Sequence, residues 1–473
     1  MKQIFKKVVS VIVSSLLIAQ QSLVANSIVI DKNAPIKNQP SLDKARNGVP
    51  IVNIVKPNNN GLSHNKFSNY NVEKEGLILN NSNRRDTSTN LGGYIYGNKN
   101  LANTKTAKII LNEVTSKNRS KLEGFTEVAG DRASVVIANP NGIYINGAGF
   151  INTDKATITT ANPNIKNGDI SSYDVNDGLI EIQKDGLNTK NVNKAELYAK
   201  TIKINAKINA NNLDIITGEN KILSDGTIVP KDSSNHATVS LDSSALGGIY
   251  ANKIKLIGTN KGVGVNLDGE ISAQDSLEIS TNGKIVLNKA LSSSNVKITS
   301  NDELESNTIY GSNVNINVKK SVKNRDIIAS KTDININTSS LTNDNLIASG
   351  VNTKLEDTKK GSLNIDADTI KNKNLLYAKD DINLNAKTLK SSKDSQINSK
   401  KSINIKSQNI DNEESVKITA KDNLKINNKN DINSDIFNSE NSNIVATNGN
   451  LDITSNSINL NNSNQIAALN DIN

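Results

Sequence analysis

The chain of 473 residues contains no cysteine, no tryptophan, one methionine and two histidines, and only 3% of it is aromatic. Without cysteine there is neither a disulfide framework nor a thiolate metal site. His64 and His236 stand far apart in sequence and, lacking cysteine partners, make no zinc site, so no metal or cofactor is expected. Hydrophobic residues amount to 35%, with too few large ones to fill a thick globular core of this length. Runs of Lys and Arg interleaved with aromatics are missing, which argues against a nucleic-acid groove. The net charge of +9 includes Lys2, Lys6 and Lys7 near the N-terminus and otherwise reads as an ordinary solvated surface. Neither a G-x-S-x-G elbow nor a P-loop sequence is present.

What the chain has in quantity is Ile, Val, Thr, Asn and Ser. The first three favour strands, and Asn and Gly tolerate the tight turns between them. A thin core stacked along an axis needs few large side chains, because each layer buries its apolar residues against the next. Composition therefore points to a β-solenoid and away from a sandwich. Residues 1–25 read as a signal peptide: a basic start at Lys2, Lys6 and Lys7, an apolar stretch from Val8 to Ala19, and Leu23-Val24-Ala25 as the cleavage site before Asn26. The apolar stretch is shorter than the ~20 residues that span a bilayer, so it reads as a leader and not as an anchor. Export is the implication, and a chain that crosses a membrane unfolded gains from having no disulfides.

From residue 26 to about 161 the pattern is irregular, with short strand-like runs such as Ile51-Val52-Asn53-Ile54-Val55 separated by Asn, Gly and Pro. Beyond about residue 200 it becomes repetitive. Aliphatic pairs two residues apart recur as Ile254/Leu256, Leu277/Ile279, Val296/Ile298, Val314/Ile316, Ile334/Ile336, Leu363/Ile365, Ile382/Leu384, Ile403/Ile405, Leu424/Ile426 and Leu451/Ile453. Most intervals lie close to 20 residues; those after Ile334 and Leu424 are 29 and 27, with room for loops. Residues two apart on a strand share a face, so each pair is one inward step of a β-helix turn. No amphipathic segment with a 3.6 period supports helical repeats instead. Asn315, Asn335, Asn364, Asn383 and Asn404 lie between the paired aliphatics, where the pleat turns them outward. Stacked in parallel rungs they would form a ladder of amide hydrogen bonds, interrupted later by Lys425 and Asp452. With rungs ~4.8 Å apart, about 20 of them predict a rod on the order of 100 Å long. Asn470-Asp471-Ile472-Asn473 repeats the start of an earlier rung at Asp380-Asp381-Ile382-Asn383, so the native polypeptide is expected to extend further. Gly262-Val263-Gly264 begins like a dinucleotide fingerprint, but Leu267 replaces the third glycine and strand pattern follows, so it reads as a β-helix corner.

Several ordered segments resemble the secretion domain of two-partner-secretion exoproteins of the filamentous haemagglutinin and contact-dependent inhibition type. They are Gly48-Val49-Pro50-Ile51-Val52-Asn53-Ile54, Gly61-Leu62-Ser63-His64-Asn65, Ile109-Ile110-Leu111-Asn112-Glu113-Val114 and Phe125-Thr126-Glu127-Val128. Asn139-Pro140-Asn141-Gly142-Ile143 matches the family's Asn-Pro-Asn-Gly-Ile signature and continues as Asn146-Gly147-Ala148-Gly149-Phe150-Ile151. Leu213-Asp214-Ile215-Ile216-Thr217-Gly218, Ala245-Leu246-Gly247-Gly248-Ile249-Tyr250 and Gly262-Val263-Gly264-Val265-Asn266-Leu267 also fit, so that residues 26–290 resemble the family closely and the later repeats generically. A departure falls at the second signature, Asn-Pro-Asn-Leu, which reads Asn98-Lys99-Asn100-Leu101 here. Independently of any family, Pro140 suits position i+1 of a β-turn between the strand-like Val135-Val136-Ile137 and Ile143-Tyr144-Ile145.

The expected fold is all-β: a right-handed parallel β-helix with an N-terminal cap and extra-helical hairpins. The expected division is a leader at 1–25, a secretion (haemagglutinin activity) domain at 26–250 and haemagglutinin-type repeats at 251–473, truncated at the C-terminus. The resemblance implies export to the cell surface through the periplasmic domains and barrel of an outer-membrane transporter. It also implies display as a filamentous adhesin meeting host or bacterial surfaces. Asn139, Pro140, Asn141, Gly142, Ile143, Asn98, Asn100 and Leu101 are the candidate transporter-recognition residues. The stalk of a contact-dependent growth-inhibition toxin is the alternative, and a β-helical polysaccharide lyase is a third. The carboxylate pairs Glu303/Glu305 and Asp366/Asp368 could suit glycoside or calcium chemistry, but as strand-borne pairs they read as solvated surface, and no catalytic site is expected.

Overall fold

The computed structural model describes residues 27–231, 239–260, 264–427 and 436–473. The leader assigned to residues 1–25, His236 and the Gly262-Val263 corner lie outside them.

Parallel strands stack into three faces of a β-helix, visited in the same order on every coil. The first face runs from Pro50–Asn53 through Leu77–Asn81 and Phe125–Gly130 to Gln465–Ala468. The second begins with Leu62–Tyr70, Ile109–Val114 and Ala133–Ala138 and continues to Leu451–Thr454. The third starts at Ser120–Leu122, Ile143–Ile145 and Leu179–Ile182 and ends at Ser457–Asn461. About 16 steps of ~4.8 Å separate the ends of the first face, so the rod is nearer ~80 Å than ~100 Å long. The expected rung count was too high because the first coils each consume extra sequence in excursions.

All the recurring aliphatic pairs fall in one register on the second face: Ile254 over Leu277, Leu277 over Val296, Val296 over Val314, and on through Ile403 over Leu424 and Leu424 over Leu451. Both members point into the core, with Ile334 and Ile403 0% exposed and Ile336 and Ile405 at 2% and 1%. Only Ile453 of the set is partly open. The interval after Ile334 accommodates a loop over residues 350–361, closed by an antiparallel bridge from Val351 to Asp357. It lies with Tyr310 and Tyr377 over the outward-facing Ala329 and Ala348 of the first face. At the far end, Ile472 bridges to Leu451 in parallel, starting another step of the second face.

Four-stranded and two-stranded antiparallel pieces stand outside the helix. Asn162–Lys166, Asp169–Val175, Asn220–Leu223 and Ile228–Pro230 form a sheet that leaves the corner between the second and third faces. Ile170, Tyr173, Val175 and Ile222 of this sheet pack on Leu62, Leu111, Val136, Tyr198 and Ile216, which project outward from the second face. The hairpin of Asp86–Thr89 and Gly93–Tyr96 likewise sets Ile95 against Ile51 and Ile78 on the outside of the first face. At the N-terminal end, Ile28–Ile30 pairs antiparallel with Leu62–Tyr70, and Ser41–Lys44 with Pro50–Asn53, capping the open first coil. Beneath the cap Phe67 and Tyr70 meet edge to face at 5.1 Å.

Candidate functional site

The Asn139–Ile143 segment forms the corner between the second-face strand Ala133–Ala138 and the third-face strand Ile143–Ile145. The Asn139 carbonyl accepts the Gly142 N–H at 3.1 Å, closing a β-turn with Pro140 and Asn141 at its centre. Asn139 is 0% exposed, and its side chain is used up internally. Its Oδ1 accepts the Asn141 N–H at 3.0 Å, while Nδ2 donates to the Asn118 carbonyl and to Ser120 Oγ, both at 2.9 Å. Asn141 is exposed and donates from Nδ2 to the Ser116 carbonyl at 2.7 Å. Gly142 sits at φ +106°, and a Cβ there would lie 3.0 Å from the Leu179 carbonyl oxygen. Ile143 anchors the corner in the core.

The Asn98–Leu101 segment is built on the same plan at a different corner, between the first and second faces. Asn98 is buried, its Oδ1 accepts the Asn100 N–H at 2.9 Å, and its Nδ2 donates to the carbonyls of Ile54 and Asn80, each at 2.9 Å. It caps a single 3-10 turn, Lys99–Leu101, with Leu101 locked in the core. Asn100 reaches back to the carbonyls of Asn53 and Ile54 at 3.2 Å. Lys99, where the resemblance implies proline, is exposed. The structure therefore keeps the two motifs apart, one on each of two corners, with Pro140, Asn141, Lys99 and Asn100 as their solvent-facing parts and Asn98 and Asn139 as internal struts.

Around the Asn139 corner are residues that no sequence motif singles out. Arg119 pairs with Glu181 at 3.0 Å and lies 6.0 Å from the Tyr144 ring centre. Burial raises the Glu181 carboxyl, but hydrogen bonds from Gln183 and Arg119 outweigh it and hold it below the ordinary range. Further along the second face, Glu196 is 5% exposed beneath the extra-helical sheet, with Lys194 at 3.2 Å, Lys155 at 3.5 Å and Thr157 donating at 2.8 Å. Burial pushes its carboxyl up, yet Lys155, Lys194 and the Thr157 hydroxyl together bring it below the usual value. Long-range pairing of these chain-distant residues left no local motif by which to find them.

His64 hydrogen-bonds Glu113 at 2.5 Å, and Lys66 also faces that carboxylate at 3.6 Å. Glu305 is tied to Arg325 and, at 3.2 Å, to Lys284, and Asp368 to Lys387 at 2.8 Å, so these acids sit in surface ion pairs. Among the described residues no group of His, Asp and Glu is arranged to hold a metal ion.

A capped parallel β-helix carrying outboard antiparallel hairpins is thus the architecture in which both asparagine corners are set. The chain belongs to the TPS (two-partner secretion) secretion domain family, whose model matches residues 26–287. It is 42% identical over 301 residues to the 16S rRNA endonuclease CdiA of Enterobacter cloacae, and 45% identical over 266 residues to the tRNA nuclease CdiA of Yersinia mollaretii. These matches cover 63% and 56% of this chain, and only 9% of each relative's length. The crystal structure of a filamentous haemagglutinin secretion domain aligns with a TM-score of 0.50 at 24% identity, covering 72% of this chain and 100% of that one. That likeness supports the fold.

Proposed function

We propose that this chain is the exported leading part of a surface exoprotein, passed through the periplasmic domains and barrel of a cognate outer-membrane transporter and displayed as a filamentous adhesin. The observation that carries the reading is the family match over residues 26–287, which contains both asparagine corners. Residues 26–250 would act in secretion and 251–473 as the stalk that holds the working surface away from the cell. In the two corners, the buried Asn98 and Asn139 shape the turns, with Leu101, Gly142 and Ile143 fixing them, while Pro140, Asn141 and Asn100 present the surface to the transporter. Co-expression with the transporter tests this: Asn139→Ala, Asn141→Ala and Gly142→Val should each sharply lower the protein recovered outside the cell. Normal secretion of all three variants would overturn the role given to this corner.

A second reading is favoured by the relatives. Proteins 42–45% identical to this chain are named as nucleases or as a toxin, and this chain spans about 9% of their length. On that reading the same rod is the stalk of a contact-dependent inhibition toxin, whose active domain lies beyond residue 473. Co-culture of producing cells with unprotected neighbours distinguishes the two: inhibition of the neighbours supports the toxin, and adherence without inhibition supports the adhesin.

A further inference from the structure

Two asparagine ladders run along this helix, and in only one of them, the closed ladder, are the amide donors all used inside the coil. At the corner between the third and first faces, Asn324, Asn343 and Asn372 stack inside the coil, each 0% exposed. Asn343 Nδ2 donates to Asn372 Oδ1 at 2.9 Å and to the carbonyls of Asn345 and Leu375 at 3.1 Å, and Asn324 makes the equivalent set with Asn343, Asp326 and Leu346. These amides hold backbone together and have no donor left over.

The outer ladder on the second face is wired once per rung. Asn335 donates to Asn315, Asn364 to Asn335 and Asn383 to Asn364 at 2.9 Å, and Asn404 to Asn383 at 3.0 Å. A primary amide has two N–H donors and two lone pairs on its oxygen. Each central asparagine therefore keeps one donor and one acceptor position toward solvent, repeated every ~4.8 Å. Beside this row, Asn317 and Asn337 make no side-chain hydrogen bond among the described residues, and Asn385 donates to Asp366 at 3.2 Å. The two rows line a trough of about 880 Å³, with Lys297 and Lys406 toward its ends, one carboxylate at Asp366 and no aromatic ring.

We propose that this trough binds a neutral, linear oligosaccharide lying along the helix axis. A polyhydroxyl chain offers a donor and an acceptor at each unit, which is what each rung offers in return. The ladder from Asn315 to Asn404 spans ~20 Å, enough for a short oligosaccharide. A sulfated or phosphate polymer calls for a row of Lys and Arg, and the trough has only its two lysines. Glycoside cleavage needs a pair of facing carboxylates, so the single Asp366 binds without cutting. An extended peptide would add to a strand edge, and this is the face of a sheet whose edges are already paired. Hydrogen bonds without ring stacking bind weakly in water, and repeated stalks on one cell would supply the avidity. The inference rests on display of the chain outside the cell, but binding by the purified protein does not depend on export.

The test is titration of the purified full chain with a panel of neutral linear oligosaccharides, among them the tetrasaccharides of β-1,4-linked N-acetylglucosamine and α-1,4-linked glucose. A sulfated heparin tetrasaccharide is the polyanion comparison, and binding is read by saturation-transfer NMR and calorimetry. At least one neutral chain should bind with a dissociation constant of ~0.1–10 mM. Asn335→Ala with Asn383→Ala should weaken it by at least ~10-fold, while Tm moves by no more than a few degrees. Should the double variant fold poorly, Asn337→Ala, which breaks no ladder bond, should still weaken binding ~3-fold with Tm unchanged. Asn343→Ala in the closed ladder should lower Tm and leave the affinity unaltered. Wild-type secretion of these variants keeps the result separate from the export reading. No neutral saccharide bound at ~10 mM, binding of the sulfated chain alone, or unchanged affinity in the outer-ladder variants would overturn the proposal.

Discussion

Asn98 and Asn139 meet the same local demand at two corners: a strand must end, turn and restart without leaving buried amides unpaired. In both, Oδ1 takes the N–H two residues on and Nδ2 takes two further acceptors. Asn139→Ala would remove the partners of the Asn118 carbonyl, the Asn141 N–H and the buried Ser120 hydroxyl at a corner where Asn139 itself is 0% exposed, so the purified chain should lose ~1–3 kcal/mol in urea denaturation. Asn141→Ala removes one bond from an exposed side chain and should cost less than ~1 kcal/mol. If Asn141→Ala nevertheless blocks export, recognition of the exposed amide is the cause; if only Asn139→Ala does so, folding is. Lys99 can be tested in the opposite direction. Asn98 has φ −73° and ψ 114°, a conformation that tolerates a following proline, and Lys99 opens the 3-10 turn, where proline fits. Lys99→Pro should therefore stabilise by ~0.4–1 kcal/mol and leave export intact or improved. The paired Asn-x-Asn spacing was legible in the sequence, but the acceptors at Asn118, Ser120, Ile54 and Asn80 were not, because folding alone brings them in from other coils.

At the scale of elements, the helix is easy to read where nothing covers it and hard to read where something does. From Ile254 to Ile426 the outside of the second face is bare, so inward aliphatics alternate with outward Asn and Lys and the register shows directly. In the first coils Leu111, Val136, Tyr198 and Ile216 face outward beneath the antiparallel sheet, so both sides of the strand are apolar and the period of two disappears. The same excursions lengthen the intervals between coils, which is why residues 50–161 read as irregular although they already wind as helix. Tyr173, packed at 5.7 Å from Tyr198, is the central rivet of that cover. Tyr173→Ala should cost ~3 kcal/mol and increase binding of a hydrophobic dye such as ANS, as the sheet loosens from the face beneath it. Unaltered stability and dye binding would mean that the sheet is held by its backbone links alone. The Glu196 cluster under the same cover adds a pH dependence. Its folded-state carboxyl lies below the unfolded value near 4.5, so its contribution is complete above that pH and is lost as pH falls through the folded value. Glu196→Gln should flatten that acid limb of the stability curve, while destabilising the chain at neutral pH by removing the buried carboxylate that faces Lys155 and Lys194, although Lys194 keeps Asp214 at 2.7 Å.

For the whole molecule, the stacking order decides how damage spreads. Each coil touches only the coils above and below it, so stability is a sum of local terms with nearest-neighbour coupling. Ile403 is a full core step, 0% exposed between Ile382 and Leu424. An aspartate there buries a charge with no partner and should cost at least ~3 kcal/mol. In a globular domain that loss would be shared by the entire structure. Here it should stay within a few coils: amide exchange followed by mass spectrometry should lose protection around residues 375–427, while the coils over residues 50–290 keep theirs. The N-terminal coils have their own reinforcement, with the cap at Ile28–Ile30 and Ser41–Lys44 and the outboard sheet riveted to their second face. Secretion of the Ile403→Asp chain should accordingly begin normally, because the asparagine corners that we connect with export lie wholly in the intact part. Loss of protection throughout residues 50–290 in that variant would show instead that the rod folds as one cooperative unit, and that export and stalk cannot be separated.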